Sequence, residues 1–281
     1  MKGKVKMFKK AIFTGLVLLI LFCYFRTYAD DSLFKEMSNP SWLSDIEKPA
    51  WMPDVEGGIT FETKYIWRGQ KIVDDFVLQP EASISKYGLA LSWWGNFSTA
   101  NSHQGRWTEH DYTIDYSSNI GEVRKYLNAD DGTMGFINSV GFSAGHIFYI
   151  FPESSGKNFH SEEFYFGVSY DCLLQPFATW YIDYARGSGS YIEFGVAPSV
   201  DLGNGVEFAA GVTAGYNAGQ WGYGYKFAPV LFSAEISVPI LKYFTVTPNI
   251  NYSLAVDRSE KDNGLAYGSE FYGGIKISAA Y

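Results

Sequence analysis

The side chains in this sequence that could do chemistry are few among the histidines and many among the carboxylates. There are four histidines: His103, His110, His146 and His160. A hydrolytic site needs a nucleophile beside a base. On a strand, two side chains share a face when they are two residues apart, and none of the four histidines is followed by Ser at that distance. His103 and His160 fall in or near loops. His146 falls on the apolar face of its segment, where a shifted register or a strand-end position explains it more simply than catalysis. No metal-ligand spacing is present: there is no His-x-x-x-His, no pair of nearby cysteines and no ordered calcium loop in the acidic stretch 257–263. The Gly222-Tyr223-Gly224 triplet is flanked by aromatics and opens no helix, so it is not a phosphate cradle. The expectation is no catalytic residue, no metal and no cofactor.

The carboxylates are arranged differently. Glu62, Glu81, Glu109, Asp111, Asp115, Glu163, Asp183, Glu193, Glu207, Glu235 and Glu270 all fall on the polar face of alternating segments, against only Lys64, Arg68 and Lys276. Such a face is either a solvated, mutually paired interior or the lining of a cation-favouring passage, because rings of Asp and Glu select cations.

These faces belong to segments of period two, the signature of strands with one apolar and one polar side. In 88–98, Leu89, Leu91, Trp93 and Phe97 alternate with Ala90, Ser92, Trp94, Asn96 and Ser98. In 107–116, His110, Tyr112, Ile114 and Tyr116 alternate with Glu109, Asp111, Thr113 and Asp115. Comparable patterns occupy 191–201, 205–217 and 243–254, and weaker ones 58–68, 77–86, 137–150, 162–171, 177–185, 228–239 and 270–281. Twelve strands are therefore expected. Each has the ~9–11 residues or more that a tilted strand needs to cross a bilayer, whereas soluble strands average about 5–6. Pro198, Pro229, Pro239 and Pro248 fall inside these patterns and mark strand ends or bulges. The connections alternate between tight turns, as at Tyr87-Gly88 and Asn204-Gly205, and longer loops. Two break the pattern: 118–136 is long where a turn is expected, and 186–190 is short where a loop is expected.

The first residues read as a secretory leader. Five lysines precede an apolar run of about 15 residues and a Thr27-Tyr28-Ala29 cleavage site. Residues 1–29 are expected to be removed, 30–56 to form an irregular segment, and 57–281 to form the barrel. Residues 1–29 hold six of the 22 Lys and Arg and none of the 30 Asp and Glu, so without them the net charge moves from −8 to −14. A nucleic-acid partner is unexpected on such a surface. Cys172 is the one cysteine left, so no disulfide supports the fold. Aromatics make up 18% of the chain, yet mean hydropathy is only −0.10. That combination fits alternating strands with aromatic girdles. Trp67, Phe97, Trp107 and Tyr149 are placed at outer strand ends, and Tyr87, Tyr116, Phe244 and Tyr281 at inner ends.

The expected fold is all-β: a transmembrane, antiparallel, up-and-down β-barrel of about twelve strands behind a cleaved signal peptide. The stretch Lys64-Tyr-Ile-Trp-Arg-Gly-Gln70, with Leu78-Gln-Pro80, Leu91-Ser-Trp-Trp-Gly-Asn96, Glu109-His-Asp111 and Tyr116, resembles the TorF-type putative porins of proteobacterial outer membranes. The resemblance covers about residues 58–117 and the last strand. It departs at Trp67, where Phe or Tyr is usual, and at the long 118–136 connection. It implies a porin-like role for small solutes or ions and no catalytic residues. The last strand, with Phe271, Ile275, Ile277, Ala279 and Tyr281 on one face, is similar to the signal that such barrels present to their insertion machinery. Outer-membrane lipid is the other expected partner. A structural barrel with a plugged lumen, or a lipid hydrolase, are the alternatives.

Overall fold

Alternating apolar and polar residues over ten or more positions favour long strands, and long strands need neighbours on both edges. The computed structural model describes residues 48–99, 105–129, 135–152, 159–257 and 267–281; the expected leader and most of 30–56 lie outside them. Residues from Pro49 onward form one unit. Along it run β1 (Asp54–Glu62), β2 (Tyr65–Trp67), β3 (Gln70–Val73), β4 (Val77–Lys86), β5 (Leu89–Ser98) and β6 (Arg106–Asn119). Helices α1 (Ile120–Tyr126) and α2 (Gly135–Asn138) follow, then β7 (Val140–Phe151), β8 (Phe159–Tyr170), β9 (Pro176–Asp183), β10 (Gly189–Val196), β11 (Ser199–Gly203) and β12 (Val206–Ala218). A 3₁₀ turn at Gln220–Gly222 precedes β13 (Tyr225–Phe227), β14 (Val230–Leu241), β15 (Phe244–Leu254) and β16 (Glu270–Ala280).

Twelve of these strands close a ring in which every neighbour is antiparallel: β1, β4, β5, β6, β7, β8, β9, β10, β12, β14, β15, β16 and back to β1. The ring closes on β1–β16, from Glu56↔Ala280 to Glu62↔Gly274, and is continuous through β10–β12, from Tyr191↔Asn217 to Val196↔Val212. One row of paired residues runs Val55, Ile84, Leu91, Ile114, His146, Phe164, Ile182. It begins at the second residue of β1 and ends one residue short of the end of β9, so the strands are tilted, as barrel closure requires.

The radial distribution of polarity is the reverse of a soluble protein's. Leu91, Ile114 and Phe166 on the outer face are 50%, 48% and 53% exposed. The largest fully buried side chains are Gln220, Glu163, Val77, Asn96, Asn217, Ser98, Ser161 and Ser253, all but one of them polar. The apolar sides of the strands therefore do not pack on each other, as they would in a sandwich.

Several boundaries differ from the sequence reading. The first wall strand starts at Asp54 and leaves the wall after Glu62, so the 58–68 segment is not one strand. Residues 118–136 combine a longer β6 with α1 and α2. Asn119 caps α1 by accepting from the Glu122 amide. Pro198 and Pro229 sit in the breaks before β11 and β14, and Pro239 at a register shift in β14. Pro248 differs: it lies within β15 opposite Ile275 with no shift.

Candidate functional site: the lumen and its inward hairpin

After Glu62 the chain turns inward, and β2 and β3 form a separate two-stranded hairpin inside the ring. Its turn is Arg68-Gly69, with φ of 48° and 77°. Two positive φ values in a two-residue loop are the requirement of a type I′ turn. Gly69 is needed twice over: a Cβ there would also meet Pro229 Cδ at 2.3 Å. The hairpin root is apolar, with Tyr65, Val73 and Val77 packed together beside Trp67 and Trp94. Its outer flank is ionic. Lys64 Nζ lies 2.6 Å from Glu270 and 3.2 Å from Asp74, and Lys71 Nζ lies 2.7 Å from Asp74 and 3.0 Å from Glu270. The Lys71 ammonium holds the Asp74 carboxyl below its ordinary range, and Asp74 in turn holds Lys71 above its own.

The tip crosses to the far wall. Arg68 donates from Nη1 and Nη2 to both oxygens of Glu163, at 2.9 and 2.6 Å, and from Nη1 to Gln220 Oε1 at 2.9 Å. Gln220 Nε2 donates to Glu163 at 2.8 Å. The guanidinium also lies over the rings of Trp67, Tyr181 and Tyr191, at 4.0–4.7 Å from their centroids. Glu163 is fully buried. A bidentate pair of this kind fixes geometry as well as energy. Gln220 is itself held, its amide donating to Asn217 Oδ1 at 2.7 Å. Lys226, also buried, lies over the rings of Tyr223 and Tyr267.

The other carboxylates have several kinds of partner. Glu81 pairs with Lys276. Asp115 accepts from Tyr165, and Glu193 from Tyr181 at 3.0 Å. Glu62 accepts from Asn249 at 2.8 Å. Asp183 acts on the backbone: with Ser161 it receives the amides of Ala185, Arg186, Gly187 and Ser188, which ties down the short 184–188 turn. Glu207 is exposed near the Gly203–Gly205 turn. Glu109 and Asp111 are neighbours on β6 near Tyr65, whose hydroxyl hydrogen-bonds Glu109. Two cavities lie on the inner side of the ring, and only the second borders the hairpin. One, about 270 Å³, is polar, set among Thr60, Glu62, Glu235, Thr247, Asn249 and Lys276 on β1, β14, β15 and β16. The other, about 160 Å³, is aromatic and lies between the hairpin and β6–β8.

Lys64 and Arg68 are thus on the hairpin and not on a wall strand. The period-two pattern runs on through Thr63 and Lys64 although the wall strand has ended. Trp67 and Tyr149 are not girdle residues. Tyr149 is 3% exposed and meets Trp67 edge-on, with centroids 6.2 Å apart, inside the ring. Trp107 does face outward, beside Trp93 and His110. His146 shares the outer face with Ile114, yet it is neither out of register nor terminal. Its Nε2 lies 2.9 Å from the Tyr184 hydroxyl and 3.4 Å from Glu162, and Tyr184 donates to Glu162. Gln220 and Ser161 had no sequence signal, and Asn217 was legible only as a polar-face position of the 205–217 pattern, because an isolated amide or hydroxyl in a loop or strand has no diagnostic spacing.

No protein-family model matches the sequence, and no curated protein matches it, so the TorF-type resemblance rests on its motifs alone. Among solved structures the chain is similar to the NanC porin, at 14% identity and a TM-score of 0.47 over 81% of this chain and 98% of that one. It is also similar to an outer-membrane channel from Pseudomonas putida F1, at 10% and 0.45 over 84% and 100%. A third is the translocator domain of the autotransporter NalP from Neisseria meningitidis, at 11% and 0.37 over 89% and 95%. The twelve-stranded ring described above is read from this chain's own strand pairing.

Proposed function

We propose that the chain is an outer-membrane, porin-like channel for small solutes or ions, narrowed by its inward hairpin. The observation that carries this is the inverted barrel: an apolar outer face around a buried polar interior. In hydrocarbon an unpaired backbone group costs several kcal/mol, so a closed barrel is one of two ways to span. No described helix is long and apolar enough to be the other. A twelve-stranded ring falls between filled eight-stranded and open sixteen-stranded barrels, and the hairpin fills part of that intermediate lumen. Residues 1–29 supply the export signal in this reading, and β16 with Tyr281 is the segment met by the insertion machinery.

Cation preference is part of the proposal. Glu163, Glu270 and Glu81 are neutralised by Arg68, by Lys64 with Lys71, and by Lys276. Among the described residues no Lys or Arg ion-pairs with Glu62, Glu109, Asp111 or Glu235. The buried anchoring of Arg68 favours a second reading, a structural barrel with a closed lumen.

Conductance of the refolded full chain in planar bilayers separates the two. Discrete steps with a reversal potential toward the cation Nernst value support the channel. Anion preference would refute the charge argument, and no current in wild type or in a hairpin-destabilised variant leaves the structural barrel.

A further inference from the structure

The aromatic cavity beside the hairpin has the attributes of a ligand site. Trp67, Tyr149, Phe151, Phe159 and Trp221 line it as one connected wall: Tyr149 and Phe151 stack at 6.2 Å, Phe151 and Phe159 meet at 4.9 Å, and Trp221 stands edge-on to Phe151 at 5.7 Å. Two polar groups in this wall lack a matching partner, a counter-ion for one and an acceptor for the other; a third, Trp221 Nε1, also has no acceptor among the described residues. Glu109 is 5% exposed and has no ion-pairing Lys or Arg among the described residues. Gln70 is 6% exposed, and its Nε2 has no hydrogen-bond partner among the described residues. A buried carboxylate without a counter-ion and a buried amide donor without an acceptor are both costly. The same molecule can relieve both.

We propose that this cavity binds a methylated ammonium ion carrying an oxygen acceptor, a cation of the choline type. The aromatic faces attract a desolvated quaternary ammonium, and Glu109 supplies the matching charge. The ligand oxygen accepts from Gln70 Nε2. A polyol of similar size is a poorer match, because it would bring more hydroxyls than Gln70, Thr108 and Glu109 can satisfy in an otherwise apolar cavity. The site is inside the wall, so the ligand is the free ion and not a lipid headgroup. The proposal rests on the fold and not on permeation; it gives the channel reading a solute class.

The test is calorimetric titration of the full chain in a maltoside detergent with choline, tetramethylammonium and glucose. Choline is expected to bind, tetramethylammonium more weakly, and glucose not at all. Glu109→Gln is expected to weaken choline at least tenfold. Gln70→Ala is expected to bring choline down to the level of tetramethylammonium without changing the latter. Heat-modifiable gel migration verifies that each variant is folded, and Phe151→Leu, which keeps the cavity apolar, provides a second weakened variant should Glu109→Gln fail to fold. No choline binding by folded wild type, equal binding of glucose, or full affinity in whichever of Glu109→Gln and Phe151→Leu folds would overturn the proposal. Binding without conductance would leave it standing while removing the channel, and conductance without binding would do the reverse.

Discussion

Arg68 is held in a left-handed conformation that non-glycine residues adopt only at a cost of order 1–3 kcal/mol. The contacts of its guanidinium offset that cost, and Glu163 is the largest of them. Glu163→Gln keeps the shape and removes the charge, leaving a buried cation without its counter-ion. Breaking one side of such a pair costs about 3–5 kcal/mol. The expected result is an undocked hairpin: trypsin should spare Arg68 in the wild type and cleave the variant there within minutes, and equal resistance would show that the rings alone hold the tip. Asp74 gives a pH prediction. Its folded carboxyl is held below the ordinary value of about 3.9, so its contribution is present above that value and is lost as pH falls through the lower folded one. Hydrogen exchange at hairpin amides, corrected for intrinsic rates, should be flat from pH 8 to 5 and rise only below about pH 4. A rise already at pH 5–6 would place the controlling group elsewhere.

The hairpin is the element the sequence hid. Periodicity located all twelve wall strands, because a strand with lipid on one side and water on the other alternates along its whole length. It could not show where the first strand leaves the wall. Tyr65, Trp67, Lys64 and Arg68 go on alternating, since a hairpin inside a lumen also has an apolar side, against Val77 and Trp94, and a polar side, toward Glu270. The same ambiguity put Tyr149 in a girdle: a tyrosine facing a packed lumen and one facing a membrane interface have the same neighbours in sequence. The acidic face was legible as a face, but its pairings were not, because partners such as Glu163 and Arg68 are 95 residues apart. Replacing residues 63–76 by a two-residue Asn-Gly turn joins β1 to β4 directly, and their register from Asp54↔Ser85 to Glu62↔Val77 supports such a hairpin. The excised variant should stay folded, since the ring closes without β2 and β3, and its unitary conductance should rise several-fold. An unchanged conductance would mean the narrowest point lies elsewhere.

At the scale of the whole molecule, stability depends on what surrounds the barrel. The outer residues Leu91, Ile114, Phe166 and Ile250 have no protein partner layer, so they gain from burial only when hydrocarbon covers them. Ile250→Lys should destabilise the folded protein in lipid by about 2–4 kcal/mol if it lies near the midplane. Reversible guanidinium unfolding from vesicles measures this. A value below about 1 kcal/mol would place Ile250 at an interface or outside the bilayer. The His146–Glu162–Tyr184 cluster interrupts the apolar face on β7 and β8, with Tyr184 just past the end of β9, and its members satisfy one another.

The hairpin leaves the wall early in the chain, but Glu163 and Gln220, which receive its tip, come 95 and 152 residues later. The tip therefore has nowhere to seat until β8 and the 3₁₀ turn are in place, and contacts this distant in sequence are the slow ones to form. Newly assembled molecules should pass through a stage in which the cylinder is complete while its bolt still hangs loose. That stage would be leakier than the finished protein and would end by an event inside a single molecule, independent of concentration.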